Sequence, residues 1–568
     1  MKRAGILLAN VIWIASCFSG WLLFRLASLF PGKIQENVLR KILGLNQETE
    51  FGRNHNFDRI KSISDFRRLV PVGDYGSHKN YITEIMGGKE NVLVGEDIQV
   101  LMPTSGSTGG VKYIPYTASL QRQFRAGISP WLFSLYLRNP RLFLGTAYWS
   151  ITPAGSKQEE TPSGIQVGYQ SDGEYLGKTA QLVLNAVMNA PSEIGQISEM
   201  DNVFYATLLF LLRDKDLALI SVWSPTFLTV LLDRFTEWGG SIVADIESGT
   251  VNLPIKGDQA VAEKLKAKTF PDPKRASEIR TRTSVSGRKM EWTLLWPKLR
   301  VISCWADGSS ENYLPGLQSR FPTVSIQPKG LLSTEGIVSF PLCDEPGAVP
   351  SIRSHFYEFL EVGTSAVPKL LIELEVDGIY EVVLTTSGGL YRYRTSDLVE
   401  VVDIRRGIPR LRFVGRIGNV SDLFGEKLHE EQIIEAMSAI TVRQRSRLSF
   451  WMVAPDKECS GETHYTLFIK PADPDGTDGC REIADELERS LLVNPHYKYA
   501  RELGQLSSLR AVLVEEDYLR RYTEGCVQLG QRLGDVKLTF LRKEFGWTER
   551  FQEPITTESA VSSPRRCT

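Results

Sequence analysis

Histidine and paired cysteine are both scarce in this chain. Six histidines stand far apart in 568 residues. They form no H-E-x-x-H spacing and no defensible Ser-His-Asp order, so metal-dependent and serine hydrolases lose ground. The seven cysteines, Cys17, Cys304, Cys343, Cys459, Cys480, Cys526 and Cys567, fall singly, with no C-x-x-C pair. That argues against a zinc ribbon or a disulfide framework and fits a reducing cytoplasm. An excess of one charge is missing too: 66 Lys plus Arg face 67 Asp plus Glu. Nothing here draws the whole chain to nucleic acid.

What is present is an ordinary folded composition, 42% hydrophobic and 23% charged. At 568 residues the chain is too long for one core, and two or more domains are expected. One long apolar run stands out. Gly5 to Phe24 carries no charge, follows Lys2 and Arg3, and precedes Arg25. Its length just spans a bilayer, but Asn10, Ser16, Ser19 and Gly20 dilute it, and no small-residue cleavage site follows. Three readings stay open: a packed or membrane-surface helix, a transmembrane anchor, and a signal peptide.

The stretch Thr104 to Lys112, TSGSTGGVK, packs glycines and hydroxyl side chains ahead of one lysine and reads as a loop. Glycine lets backbone approach a ligand, and hydroxyl and N–H groups can donate to phosphate oxygens. It is no Walker A sequence, and such loops also serve as plain linkers. The run Ile98 to Pro103 before it reads as a strand, and a helix resumes near Ser119.

Further on, Asp201 can cap an apolar helix, and Leu217 to Trp223 is a buried-strand candidate. Ser224 with Pro225 opens a helix closed by Gly239. Residues 246 to 293 read as an exposed helical excursion. Leu299 to Trp305 and Thr323 to Pro328 are strands followed by small polar turns, the places where α/β sheets collect ligands. Were Leu390 to Arg394 a strand, Tyr391 and Tyr393 would share one face and solvated Arg392 and Arg394 the other. From Arg412 to Ile433 the text changes to glycines and polar residues, then a helix start, as at a domain boundary. Beyond it a small α+β domain has strands near 449–455, 464–471 and 509–517 and a helix aligning Ile483, Leu487 and Leu491. The expected organisation is a hydrophobic helix over 1–30, a large α/β domain over 31–415, a small domain over 416–555 and a disordered tail over 556–568.

Four motifs in order, TSGSTGGVK, STEG at Ser333 to Gly336, GLYRYRTSD at Gly389 to Asp397, and GRIGNVSDLFGEK at Gly415 to Lys427, resemble those of adenylate-forming enzymes. More closely the chain resembles the Gretchen Hagen 3 family, the auxin-responsive acyl acid amido synthetases, in the form bacteria carry. The resemblance runs from about Leu43 to about Lys537. It implies an α/β fold with a large N-terminal domain of the acyl-activating type and a smaller, mobile C-terminal α+β domain. It also implies ATP and Mg²⁺ as cofactors, a carboxylic acid and an amine such as an amino acid as substrates, and an acyl adenylate between them.

By that resemblance Ser105, Gly106, Ser107 and Thr108 supply donors to the β- and γ-phosphates, with Ser107 where the family usually has Thr. Lys112 adds charge. Glu335 matches the family's Mg²⁺-holding glutamate, and Ser333 and Thr334 lie beside adenine or the acyl carboxylate. Asp397 corresponds to the aspartate that accepts from both ribose hydroxyls. Arg416 contacts nucleotide or pairs with Asp397. Lys427 and Lys537 are the two candidates for reaching the α-phosphate. Trp149, Tyr169, Trp223 and Trp305 lie in segments expected to wall the acid pocket, although core packing accounts for each equally well. The competing expectations are delivery of the adenylate to a thiol, and a membrane-associated binding protein that kept the fold without the chemistry.

Overall fold

A computed structural model of the chain describes residues 2–105, 111–150, 159–168, 187–283, 291–343, 345–362, 367–417, 420–444, 447–458, 462–472, 480–531, 533 and 536–552. The chain separates into two compact units, Met1–Ile417 and Gly418–Thr568.

In the first unit the apolar run forms helix α1 (Lys2–Ala27), which lies along helix α2 (Ala118–Arg138). Asn10 explains how a polar residue sits inside such a helix. Its Nδ2 donates to the carbonyls of Phe143 (3.2 Å) and Gly145 (2.9 Å), and its Oδ1 accepts from the Tyr136 hydroxyl (3.3 Å). Gly20 is needed for the close approach, since a Cβ there would stand 2.7 Å from that of Ser129. Phe24 packs edge-on against Phe340 with ring centres 5.0 Å apart.

Strands β1 (Val100–Ser105) and β2 (Val111–Tyr116) form an antiparallel hairpin that pairs Thr104 with Lys112 and Ser105 with Val111. The expected loop from Thr104 to Lys112 therefore shortens: its ends are strand. Gly106, Ser107 and Thr108 lie outside the described residues.

Strands β3 (Thr146–Trp149) and β4 (Leu217–Ser221), helix α3 (Pro225–Asp233), and strands β5 (Val301–Cys304) and β6 (Ser325–Pro328) build the α/β layer. Among the described residues, the four strands make a parallel sheet in the order β3-β4-β5-β6. β4 and β5 are buried along their whole length, as their unbroken apolar text requires. Ser224 caps α3 as expected, accepting from the Thr226 N–H, with Pro225 at the first position.

Two local expectations fail here. Gly239 lies inside a second helix, Phe235–Ser248, and left-handed Gly249 (φ 73°) follows that helix instead. Asp201 is not a cap: Glu199 takes that position, and Asp201 pairs with buried Arg234 at 2.6 Å. The polar excursion is helical and largely exposed among its described residues, as expected, and buried Arg275 ties it down by donating to the carbonyls of Leu212 and Leu295.

Strands β7 (Phe356–Glu361), β8 (Ile379–Thr385), β9 (Tyr393–Arg405) and β10 (Ile408–Arg416) run antiparallel through a seven-stranded sheet among the described residues. The strand expected from Leu390 starts only at Tyr393. Arg392 has φ 45° and is buried, its guanidinium bound to Glu358 (2.7 Å) and to the Val70 carbonyl (2.8 Å). It is a core ion pair, and Arg394 is likewise held by buried Glu381 at 2.6 Å.

The second unit is an α+β body. Helix α4 (Glu430–Gln444), strands β11 (Leu448–Lys457) and β12 (Thr463–Pro471), helix α5 (Cys480–Leu491) and strand β13 (Arg510–Leu513) enclose one core. β11 pairs antiparallel with β12, and β12 parallel with β13. Ile483, Leu487 and Leu491 line the buried face of α5.

Candidate active site

Glu335 sits on a tight turn. The Ser333 and Gly336 backbones exchange hydrogen bonds of 3.0 and 3.2 Å, closing the bridge between Leu332 and Ile337. Side chains distant in sequence pin this turn. The Tyr116 hydroxyl donates to the Thr334 carbonyl at 2.8 Å. His355 Nε2 accepts from the Ile337 N–H at 3.1 Å, so its proton is on Nδ1, which donates to Gln123 Oε1 at 3.1 Å. Burial pushes the His355 imidazole down to about 3 and keeps it neutral. Gly336 allows this packing, because a Cβ there would stand 2.9 Å from His355 Nε2.

The turn leaves Ser333 and Thr334 half-buried and drives Glu335 down to 7% exposure. Among the described residues no side chain or backbone group donates a hydrogen bond to its carboxylate, and none forms an ion pair with it. A carboxylate so placed is poorly compensated by protein alone and suits a small hard cation, which takes one or two carboxylates beside phosphate oxygens. No group of three or more His, Cys, Asp or Glu that could hold a metal occurs among the described residues.

Opposite charges gather around it. Lys112, half-buried on β2 with its ammonium 5.6 Å from the centre of the Tyr75 ring, is held below the usual lysine range by burial, while Glu335 acts the other way. Arg416, Asp74 and Asp397 also act on that ammonium, so these groups share one locality. The buried Tyr393 hydroxyl is raised, first by desolvation and then by Glu335.

Asp397 reaches this place through an irregularity in β9. Ser396 adopts φ 64°, and the register against β8 shifts between Glu381 and Val383. A strained non-glycine residue next to a carboxylate marks a position that the surrounding fold over-determines. Thr395 fixes it, donating to the Val382 carbonyl (3.0 Å) and accepting from the Asp397 N–H (3.1 Å). Arg416, at the end of β10, brings Nε to 2.8 Å from Asp397 Oδ1 and donates from Nη2 to the Thr395 carbonyl at 3.1 Å. That Nε is buried without an aligned acceptor, so its contact with Asp397 is an ion pair by distance and not a directed hydrogen bond.

Lys112, Ser333, Thr334, Glu335, Asp397 and Arg416 are therefore placed on the first unit, and Ser105 ends the strand that pairs beside Lys112. Lys427 and Lys537 belong to the second unit. Lys427 is exposed with φ 44°. Next to it buried Glu426 accepts from the Leu423 and Phe424 N–H groups and from the Tyr465 hydroxyl, which fixes the turn that presents the lysine. Lys537 is exposed, and its carbonyl accepts from the Tyr522 hydroxyl at 2.8 Å.

The C-terminal ends of the parallel strands carry tryptophans. Trp149 ends β3, and Trp223 and Trp305 follow β4 and β5, with the latter two rings 5.7 Å apart. Tyr169 lies outside the described residues. Sequence reasoning missed Lys329, just beyond β6. It is buried, donates to Ser221 Oγ at 2.6 Å and lies over the rings of Trp131 (5.1 Å) and Trp223 (4.9 Å). The available signal was a lysine placed directly after a core strand, at the end where α/β sheets bind ligands.

A parallel sheet with aromatic strand ends, a turn whose buried carboxylate has no hydrogen-bond or ion-pair partner among the described residues, and an aspartate paired with arginine on a neighbouring strand define an α/β enzyme of two units. Three domain descriptions match its length: the GH3 family N-terminal domain over residues 24–326, the central domain over 348–416 and the C-terminal domain over 431–544. The chain belongs to the GH3 family. It is similar to indole-3-acetic acid-amido synthetase GH3.17 of Arabidopsis thaliana, at 25% identity over 93% of this chain and 96% of that protein. It is also similar to jasmonoyl-L-amino acid synthetase JAR6 of Nicotiana attenuata, at 24% identity over 89% and 90%. Among solved structures, AtGH3.15 acyl acid amido synthetase in complex with 2,4-DB shares the fold, with a TM-score of 0.79 at 21% identity over 95% and 96% of the two chains.

Proposed function

We propose that this chain is an ATP-dependent acyl acid amido synthetase. The acid's carboxylate attacks the α-phosphorus of ATP and pyrophosphate leaves. An amine, of the amino acid class, then attacks the acyl carbon and AMP leaves, giving an amide. The observation that carries the reading is Glu335, a buried carboxylate with no hydrogen-bond or ion-pair partner among the described residues, beside Lys112 and the Asp397–Arg416 pair, in a chain whose near-full-length relatives are named amido synthetases.

Activation is required because a carboxylate does not react with an amine at neutral pH. Glu335 would hold Mg²⁺ with the nucleotide's phosphates, and the ion when bound neutralises charge on the oxygens of the leaving pyrophosphate. Lys112 places a cation on β2, and Ser105, Gly106, Ser107 and Thr108 are assigned as donors to the phosphates. Asp397, paired with Arg416, accepts from the ribose hydroxyls. The tryptophans at the strand ends suit an apolar or ring-bearing acid, and Lys329 gives that space one fixed cation. Lys427 and Lys537 are assigned to the transition state of phosphoryl transfer.

The test is acid-dependent exchange of labelled pyrophosphate into ATP over aromatic, fatty and amino acids, followed by amines and thiols with the acid that responds. Exchange with one acid class and amide formation with an amine is the expected result. Exchange with transfer only to a thiol, or ATP binding without exchange for any acid, would overturn the reading.

A further inference from the structure

Helix α1 has two apolar faces, and the fold uses one. Trp13, Ile14, Cys17 and Phe24 are buried against the core of the first unit. On the opposite face Leu8, Ile12, Leu22 and Leu26, with Leu29 and Phe30 in the turn that follows, are each at least 41% exposed. Their spacing keeps them on one stripe of a helix that is about 39 Å long at the usual rise. Soluble monomers seldom leave so long an apolar strip in water.

The charge around the strip identifies what covers it. No acidic residue occurs before Glu36, whereas Lys2, Arg3, Arg25 and Lys33 do. Nor does any occur from Ile98 to Gln158, the stretch that contains α2, against which α1 packs. Of the basic side chains there, Arg25, Lys33, Arg125, Arg138 and Arg141 are exposed. An apolar stripe on a helix pair whose own residues include cations and no acid fits the headgroup boundary of an anionic bilayer, where arginine and lysine extend to phosphate while leucine and phenylalanine enter the acyl region. A second copy meeting this face across a two-fold axis would bring two cationic rims together. Crossing the bilayer would strip Asn10 of its three hydrogen bonds and Gly20 of its seat on α2.

We propose that the outer face of α1 lies in the plane of a membrane bearing anionic lipid and holds the enzyme at that surface without spanning it. The inference stands apart from the chemistry at Glu335 and is tested without substrates. The full chain is floated with vesicles of phosphatidylcholine alone and of phosphatidylcholine with phosphatidylglycerol, and its mass is measured by sedimentation without lipid. The chain is expected to float with the anionic vesicles and to wash off in alkaline carbonate. Ile12→Glu/Leu22→Glu/Leu26→Glu is expected to cut partition at least about tenfold while the melting temperature without lipid stays unchanged. The charge variant Arg25→Gln/Arg138→Gln/Arg141→Gln is expected to erase the preference for anionic lipid, which separates docking from misfolding. Failure to float with either vesicle, retention after carbonate, equal partition of the leucine variant, or a dimer that this variant dissociates would each overturn the proposal.

Discussion

Glu335 is a carboxylate that the protein alone does not need. Replacing it with Gln keeps the volume and removes a buried charge that has no hydrogen-bond or ion-pair partner among the described residues, so the melting temperature should hold or rise. A structural ion pair would give the opposite result. Acid-dependent pyrophosphate exchange should fall about 10²–10³-fold, measured at saturating Mg²⁺. Lys112 carries a pH signature. Burial holds its pKa below the ordinary lysine range, so its charge is lost at lower pH than that of a free lysine. Lys112→Arg, whose charge persists, should move the alkaline limb of the exchange profile to higher pH. Glu335, Asp397 and Lys112 were legible because each lies inside a short ordered motif. Tyr116, Gln123 and His355, which hold the turn, were not: the bond from Tyr116 to Thr334 spans 218 positions, and no local pattern records that.

At the scale of elements, the turn Ser333–Gly336 is only as firm as the neutral imidazole behind it. His355 titrates lower in the fold, at about 3, than its ordinary 6.5. The unfolded chain therefore binds the extra proton first as pH falls. Its contribution is full above pH 6.5 and is lost progressively as pH drops toward 3. The denaturation midpoint should fall over that window, and His355→Gln should flatten the slope by up to about 1.4 kcal/mol per pH unit, whatever its effect at neutral pH. The parallel strands were legible because burial on both faces writes unbroken apolar text. Arg392 was misread because alternation assumes a strand. The chain instead turns at Gly388 and Gly389 and enters β9 through a left-handed arginine, sending that side chain to Glu358. The glycine-rich loop was read too long for a related reason: composition marks where a turn is allowed, but cross-strand pairing decides where it begins.

At the scale of the molecule, an α/β body followed by a smaller α+β body was legible from the change in periodicity along the chain. The groups proposed to face nucleotide lie on the first body and the two candidate lysines on the second. That division makes a kinetic prediction. Lys427→Ala or Lys537→Ala should lower kcat for adenylate formation by about 10²-fold with KM for ATP within about threefold, whereas Asp397→Asn should raise KM for ATP at least about tenfold. Steady-state kinetics with the responding acid checks both.

The bonds that seat Asn10 join it to residues 126, 133 and 135 positions further along. A ribosome adding roughly 5–20 residues per second keeps α1 waiting roughly 6–27 s for that seat. Through this interval an apolar segment of 24 residues has no cover of its own. Until those partners emerge from the ribosome, that apolar surface is open to association with other chains or with lipid.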